Sequence, residues 1–171
     1  MECTMTQADE WSCNISLRLE FNANGDPYPM QETIPFGPKI TNKDEVEIWL
    51  RRAQAAILCP HIQAADFHGK SKEEISLLQK VDQLMKGFSK NTIHVDVRDP
   101  DVTGLSFVDL PGMLNFWITD IFGAHSVAGL IQNSQTPELI DLVKDLVVSN
   151  IAQKNTLILI AIPMSGKEQD W

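Results

Sequence analysis

Residues 105–112, LSFVDLPG, are the stretch best suited to chemistry. An apolar run of strand type delivers a carboxylate, Asp109, at its carboxyl end, and Gly112 follows three residues later. Ligands of open α/β sheets bind outside the carboxyl ends of strands. An aspartate placed there can hold Mg²⁺ through a water. A glycine beyond it can turn its N–H onto a phosphate, because no Cβ obstructs the approach. Alone, Asp-x-x-Gly is a short pattern, and a turn after a buried strand satisfies it equally well.

Two other constellations have simpler readings. Residues 64–71, AADFHGKS, satisfy a relaxed phosphate-loop pattern with Ala in the first Gly position. That mechanism needs a strand before the loop, so that several N–H groups converge on the phosphates. Helix-like AQAAIL and then Pro60 come first instead. The expectation is a surface turn in which Ser71 caps the next helix, with Lys70 solvated. Cys59-Pro60-His61 and His68 lack a second Cys pair and fit no standard zinc spacing, so they are expected in a loop after a helix. No Ser-His-Asp or Cys-His arrangement is singled out.

The elements that would position these residues follow from hydrophobic periodicity. In residues 11–21, apolar side chains fall at every second position from Trp11 to Phe21, the pattern of a half-buried strand. Asn24-Gly25 and Pro27 mark a turn. Residues 28–40 carry Pro29, Pro35 and Pro38 and are expected to be extended or looped. A helix begins near Asn42, with Glu45 in the capping-box position. Val46, Trp49, Leu50, Ala53 and Ile57 share its inner face, and Pro60 stops it. A second helix starts at Ser71 with Glu74 three residues on. Its stripe is Ile75, Leu78, Val81 and Met85, and Gly87 ends it. Residues 91–96 alternate, with Ile93, Val95 and Val97 on one side, and residues 105–108 form a short apolar strand. Thr136-Pro137 opens a helix that runs through Leu139, Leu142, Val143, Leu146, Val147 and Ile151. Residues 157–162, LILIAI, read as a central strand covered on both faces. From residue 91 onward the order is strand, strand, helix, strand, which predicts an α/β layout with a mostly parallel sheet.

The 171 residues suit one domain, and 43% hydrophobic with 22% charged residues is a globular composition. Fourteen Lys+Arg stand against 23 Asp+Glu, a formal net charge of −9. That balance argues against a nucleic-acid or anionic-membrane surface, since both require clustered cations. Three cysteines, Cys3, Cys13 and Cys59, are too few and too odd in number for a disulfide scaffold and point to a reducing compartment. No apolar run approaches the ~20 residues of a membrane span, and MECTMTQADEW carries no basic or apolar leader region.

Four segments together bring a family into view: WSCNISLR, EVEIWLRRAQAAIL, LSFVDLPG and TPELIDLVKDLVVSNIAQKNTLILIAIPMS. In order and spacing they resemble consecutive parts of the dynamin-type GTPase domain in its fungal form, over most of the chain. The resemblance implies a fragment of a P-loop NTPase-like G domain spanning residues 1–171, with a central, mostly parallel sheet, flanking helices and an N-terminal hairpin. It also implies GTP binding and hydrolysis with Mg²⁺. Asp109 would be the aspartate that holds Mg²⁺ through a water, Gly112 the γ-phosphate contact, and Leu110 and Pro111 would shape switch II between them. The family works with further modules in membrane remodelling, so the implied setting is cytoplasmic, peripheral to membranes or cytoskeleton. Other dynamin-like chains would be assembly partners, with neither nucleic acid nor direct membrane contact expected of this chain.

The chain departs from the family at three points. The phosphate-binding loop and the switch I threonine would lie upstream of Met1, and the base-specificity motif would lie beyond Trp171, where GKEQDW already differs. The expectation is therefore a chain without appreciable GTPase activity of its own; the alternative is a non-catalytic remnant or interaction fragment of a dynamin-like protein. An in-frame strand and GxxxxGK[ST] loop encoded upstream would favour the first reading. The third departure is the 17-residue stretch 113–129, MLNFWITDIFGAHSVAG, inside switch II. Removing it restores DLPGLIQNSQTPE. Gly112-Met113 can be encoded GGTATG and Ala128-Gly129 GCAGG, which supply GT and AG splice boundaries in one phase. We read it as a retained intron, the rival being a true insertion whose Phe116, Trp117, Ile118, Ile121 and Phe122 form an apolar partner-binding segment. Transcript sequencing decides between them: a spliced message lacking these codons is expected, and unspliced messages alone would refute the intron.

Overall fold

The computed structural model describes residues 1–110, 145, 147–152 and 157–159. Within residues 1–110, five strands and two α-helices form an α/β fold: β1 (Glu2–Gln7), β2 (Ser12–Phe21), β3 (Pro27–Pro35), α1 (Val46–Leu58), α2 (Lys72–Val81), β4 (Thr92–Asp99) and β5 (Leu105–Val108). The strands make one sheet in the order β3-β2-β4-β1-β5.

The sheet is mixed, not mostly parallel. β1 and β4 run parallel, while β2–β3, β2–β4 and β1–β5 are antiparallel. The reason is connection length. Only residues 100–104 separate β4 from β5, whereas a parallel crossover needs a dozen residues or more. β5 therefore runs back against β4, and β1 enters between the two. β1 had no counterpart in the periodicity reading, because its alternation rests on just Cys3 and Met5. The hairpin expected after residue 21 forms as β2–β3. Its prolines are tolerated because β3 is an edge strand.

One face of the sheet carries Cys3, Cys13, Ile15, Leu17 and Val95, all buried. α1 covers it with Trp49, Ala53, Ala56 and Ile57, and Phe36, Ile40, Phe67 and Ile75 close the layer. Burying such side chains stabilises the fold by about 1.5–3 kcal/mol each. Backbone bonds anchor the connection leading to α1: Phe36 N–H donates to Ile15 O at 2.8 Å, and Cys13 and Ile40 exchange both bonds at 2.9 Å.

The first helix starts differently from the capping-box expectation. Asn42 Oδ1 accepts from Asp44 N–H at 3.1 Å and caps a 3-10 turn, Lys43–Glu45, from which α1 continues without a side-chain cap of its own. The second helix has the expected box: Glu74 N–H donates to Ser71 Oγ at 3.2 Å, and Ser71 N–H donates to Glu74 Oε2 at 2.7 Å. It ends at Val81, well before Gly87, because Asp82 Oδ1 accepts from Leu84 N–H at 2.9 Å and turns the chain. With the helix cut short, Ile75 is buried but Val81 is 62% exposed.

Farther along, residue 145 and residues 147–151 are helical, as the periodicity after Pro137 predicts. Leu157, Ile158 and Leu159 lie in no strand and are exposed, contrary to the expected central strand. An apolar run becomes a central strand only with partners on both edges, and among the described residues none of the five strands pairs with Leu157, Ile158 or Leu159.

Gly37 holds α1 close to the sheet. Its φ is +79°, and a Cβ there would stand 2.5 Å from the Trp49 ring. Gly37→Ala is expected to cost about 2–4 kcal/mol, combining left-handed strain with overpacking. Ser71→Ala should cost about 1 kcal/mol through the lost cap. Urea midpoints followed by tryptophan fluorescence check both.

Candidate functional site

Asp109 lies directly after β5, at the strand's carboxyl end and at the edge of the sheet. Its backbone is held by the first residue of the chain: Asp109 N–H donates to Met1 O at 2.7 Å, and the Met1 ammonium donates to Asp109 O at 2.8 Å. These bonds extend the β1–β5 ladder, in which Cys3 faces Phe107 and Met5 faces Leu105. The Asp109 residue is exposed, and among the described residues its carboxylate makes no hydrogen bond or ion pair. It does act on the Met1 ammonium. Burial lowers that amine's pKa, while the charges of Asp109 and Glu2 oppose the shift. Leu110 follows half-buried, whereas Pro111, Gly112 and residues 113–129 lie outside the described residues.

A lone carboxylate suits Mg²⁺ better than most metals. Mg²⁺ keeps several waters and takes one or two protein carboxylates, the rest of its shell coming from substrate phosphates. Among the described residues no group of three or more His, Cys, Asp or Glu gathers as a metal cage. A carboxylate placed as Asp109 is could contact Mg²⁺ through a water.

The polar face of the sheet brings together residues that periodicity left scattered. Ser106 Oγ donates to Thr4 Oγ1 at 3.3 Å, and Thr4 Oγ1 lies 3.4 Å from His94 Nε2. Arg18 Nη1 pairs with Glu2 Oε2 at 2.5 Å beside them. Together they form a cross-strand polar row.

The sequence-level decoys are placed by ordinary packing. Residues 64–71 contain a 3-10 turn, Ala64–Phe67, and Ser71 caps α2, as expected. Lys70 lies over the Phe67 ring at 5.9 Å, and its carbonyl accepts from Arg52 Nε at 2.9 Å. His68 packs edge-on between Phe36 and Trp49, with ring centroids 4.7 and 5.5 Å away. His61 points elsewhere and meets Asp82 Oδ2 at 2.9 Å.

Periodicity missed two residues that organise loops, Asp82 and Asn91. The Asp82 carboxylate accepts from Leu84 N–H and His61 and receives the Cys59 thiol hydrogen bond, joining the ends of both helices. Asn91 Oδ1 accepts from the N–H groups of Glu20 and Phe21 at 2.9 Å, and its amide donates to Phe21 O. It takes the place of a strand residue where the β2–β3 register shifts between Leu19 and Phe21. The available signal was residue type alone, since Asp and Asn commonly bond local backbone.

The thiols are not poised for reaction. All three are buried, and burial pushes Cys13 and Cys59 up to about 11, which keeps them protonated at neutral pH. Comparisons with protein-family models, with curated proteins and with solved structures each give no match to this chain. Among the described residues no helix is long and apolar enough to cross a membrane.

The Leu84 N–H bond, followed by the His61 contact, holds the Asp82 carboxyl below its ordinary value. A depressed folded-state value means that this stabilisation is present above the ordinary aspartate pKa, about 3.9, and is lost as pH falls through the depressed value. Asp82→Asn should lower the urea midpoint at pH 7, and the gap from the parent chain should close as pH drops below about 4. An equal gap at pH 7 and pH 2.5 would show that the charge is immaterial.

Proposed function

We propose that the chain is part of a dynamin-type GTP-binding and GTP-hydrolysing module, with Asp109 as its Mg²⁺-side aspartate. The observation that carries this reading is the position of Asp109: an unengaged carboxylate immediately past the carboxyl end of a strand in an α/β sheet. The LSFVDLPG pattern around it supplies the family, and the β2–β3 hairpin agrees with it. Leu110, Pro111 and Gly112 complete the proposed switch II segment, in which Gly112 would be the γ-phosphate contact by resemblance. Other dynamin-like chains are the proposed assembly partners, and the proposed setting is the cytoplasm, peripheral to membranes.

Mg²⁺ with its phosphate ligands would supply charge stabilisation for phosphoryl transfer. This chain's own part is to fix the aspartate through the β1–β5 ladder and the Met1 carbonyl. Positioning and charge stabilisation come largely from a phosphate-cradling loop and its lysine. Among the described residues the nearest pattern, at Lys70, sits on a 3-10 turn and a helix cap. GTP is therefore expected to bind weakly, without turnover. That same observation favours the second reading, a non-catalytic interaction fragment of such a protein.

Titration of a fluorescent GTP analogue tests the first reading. Mg²⁺-dependent binding in the millimolar range is expected, weakened about tenfold by Asp109→Ala and unchanged by Asp101→Ala, with phosphate release at background. About tenfold is the effect of losing one charge-assisted contact, on the order of 1.4 kcal/mol. No Mg²⁺-dependent binding at millimolar GTP, or equal loss in both variants, would favour the interaction fragment. Mg²⁺-dependent turnover that Asp109→Ala abolishes would overturn the expectation of inactivity.

A further inference from the structure

The second helix is apolar on two sides. Ile75 is buried against the core, while Leu77 and Val81 are 59% and 62% exposed, and Leu84 just beyond the helix is 69% exposed. At 100° per residue, Leu77 lies about 160° around the helix from Ile75. This second stripe therefore faces directly away from the core, and it includes the Val81 that the periodicity reading assigned inward. Glu73 and Lys80 border it. Both are exposed, and neither has an ion-pair partner among the described residues. Glu74 and Lys72 are already engaged, in the capping box and with Glu47.

We propose that α2 is a homodimer contact, in which a second copy of this chain lies antiparallel across Leu77. The charge order of the helix selects that occupant. Glu73 stands about 6 Å before Leu77 along the axis and Lys80 about 4.5 Å after it, and both project to the same side of the stripe, by about 40° and 60°. A twofold axis through Leu77 reverses the axial order and preserves the side. Glu73 then meets the partner's Lys80, Lys80 meets the partner's Glu73, and the two Leu77 side chains pack at the centre. A parallel copy would bring like charges level instead. The contact is isologous, so it closes at two subunits.

The stripe is smaller than the roughly 800 Å² per partner of a stable standard interface, so the dimer is weak and concentration-dependent. The net charge of −9 on each chain opposes approach at low salt. Near 0.15 M salt the Debye length of about 8 Å screens that repulsion more than the contacting pairs. The contact does not rest on the GTP reading.

Sedimentation velocity of the full chain at 0.15 M salt, over a micromolar to millimolar range, tests the proposal. The parent chain is expected to move from monomer to dimer as concentration rises. Leu77→Asp abolishes the dimer, and Glu73→Lys or Lys80→Glu alone weakens it about tenfold, since each replaces two attractive pairs by repulsive ones. The double variant, Glu73→Lys with Lys80→Glu, restores the parent's association. All substituted positions are exposed, and unchanged circular dichroism and urea midpoints confirm that the variants fold. A chain that stays monomeric at millimolar concentration overturns the proposal. So does a dimer indifferent to Leu77→Asp, a single charge variant that leaves association unchanged, or a double variant that does not recover it.

Discussion

The placement of Asp109 depends on β1 being paired along both of its edges. Cys3 and Met5 face Val95 and Val97 on the parallel side and Phe107 and Leu105 on the antiparallel side. Among the described residues, β1 is the strand partner that joins β5 to the sheet. The ladder runs one residue past the strand, so Met1 fixes the backbone of Asp109 while its carboxylate stays exposed. A six-residue strand thus decides whether the chain's best candidate for metal chemistry has a fixed position.

The two faces of the sheet divide the labour that results. The apolar side of β1, β2 and β4 is buried, and α1 packs over β2 and β4, where Gly37 admits the Trp49 ring and Phe36 and His68 pack edge-on around it. The other side carries Ser106, Thr4 and His94 in contact across the strands, and the Arg18–Glu2 pair beside them. A sheet covered on one face needs alternating sequence, which β2 and β4 supply. Of the unalternating run at residues 157–162, the described residues Leu157, Ile158 and Leu159 stay outside this sheet.

Local chemistry made much of the fold legible. The alternation from Trp11 to Phe21 and from Ile93 to Val97, the Ser71–Glu74 capping box, the turn at Asn24-Gly25 and the apolar face of α1 follow from periods of two and 3.6 and from capping geometry. The errors arose where neighbours rule. The helix α2 ends early because Asp82 captures Leu84 N–H. The sheet is mixed because five residues cannot carry a parallel crossover. At the candidate site the sequence marks Asp109 and its strand, but not the Met1 bonds that hold it or the Ser106–Thr4–His94 row.

By itself, the sequence determined which residues alternate, where helices can begin and where a carboxylate follows a strand, because those properties are written in adjacent residues. Only the tertiary structure decided strand order, the insertion of β1 between β4 and β5, and which side of α2 meets water. Those outcomes depend on pairings between residues as much as 108 positions apart, such as Met1 with Asp109. Pairing across such distances is chosen by the competition of whole strands for partners, and no window of sequence contains that competition.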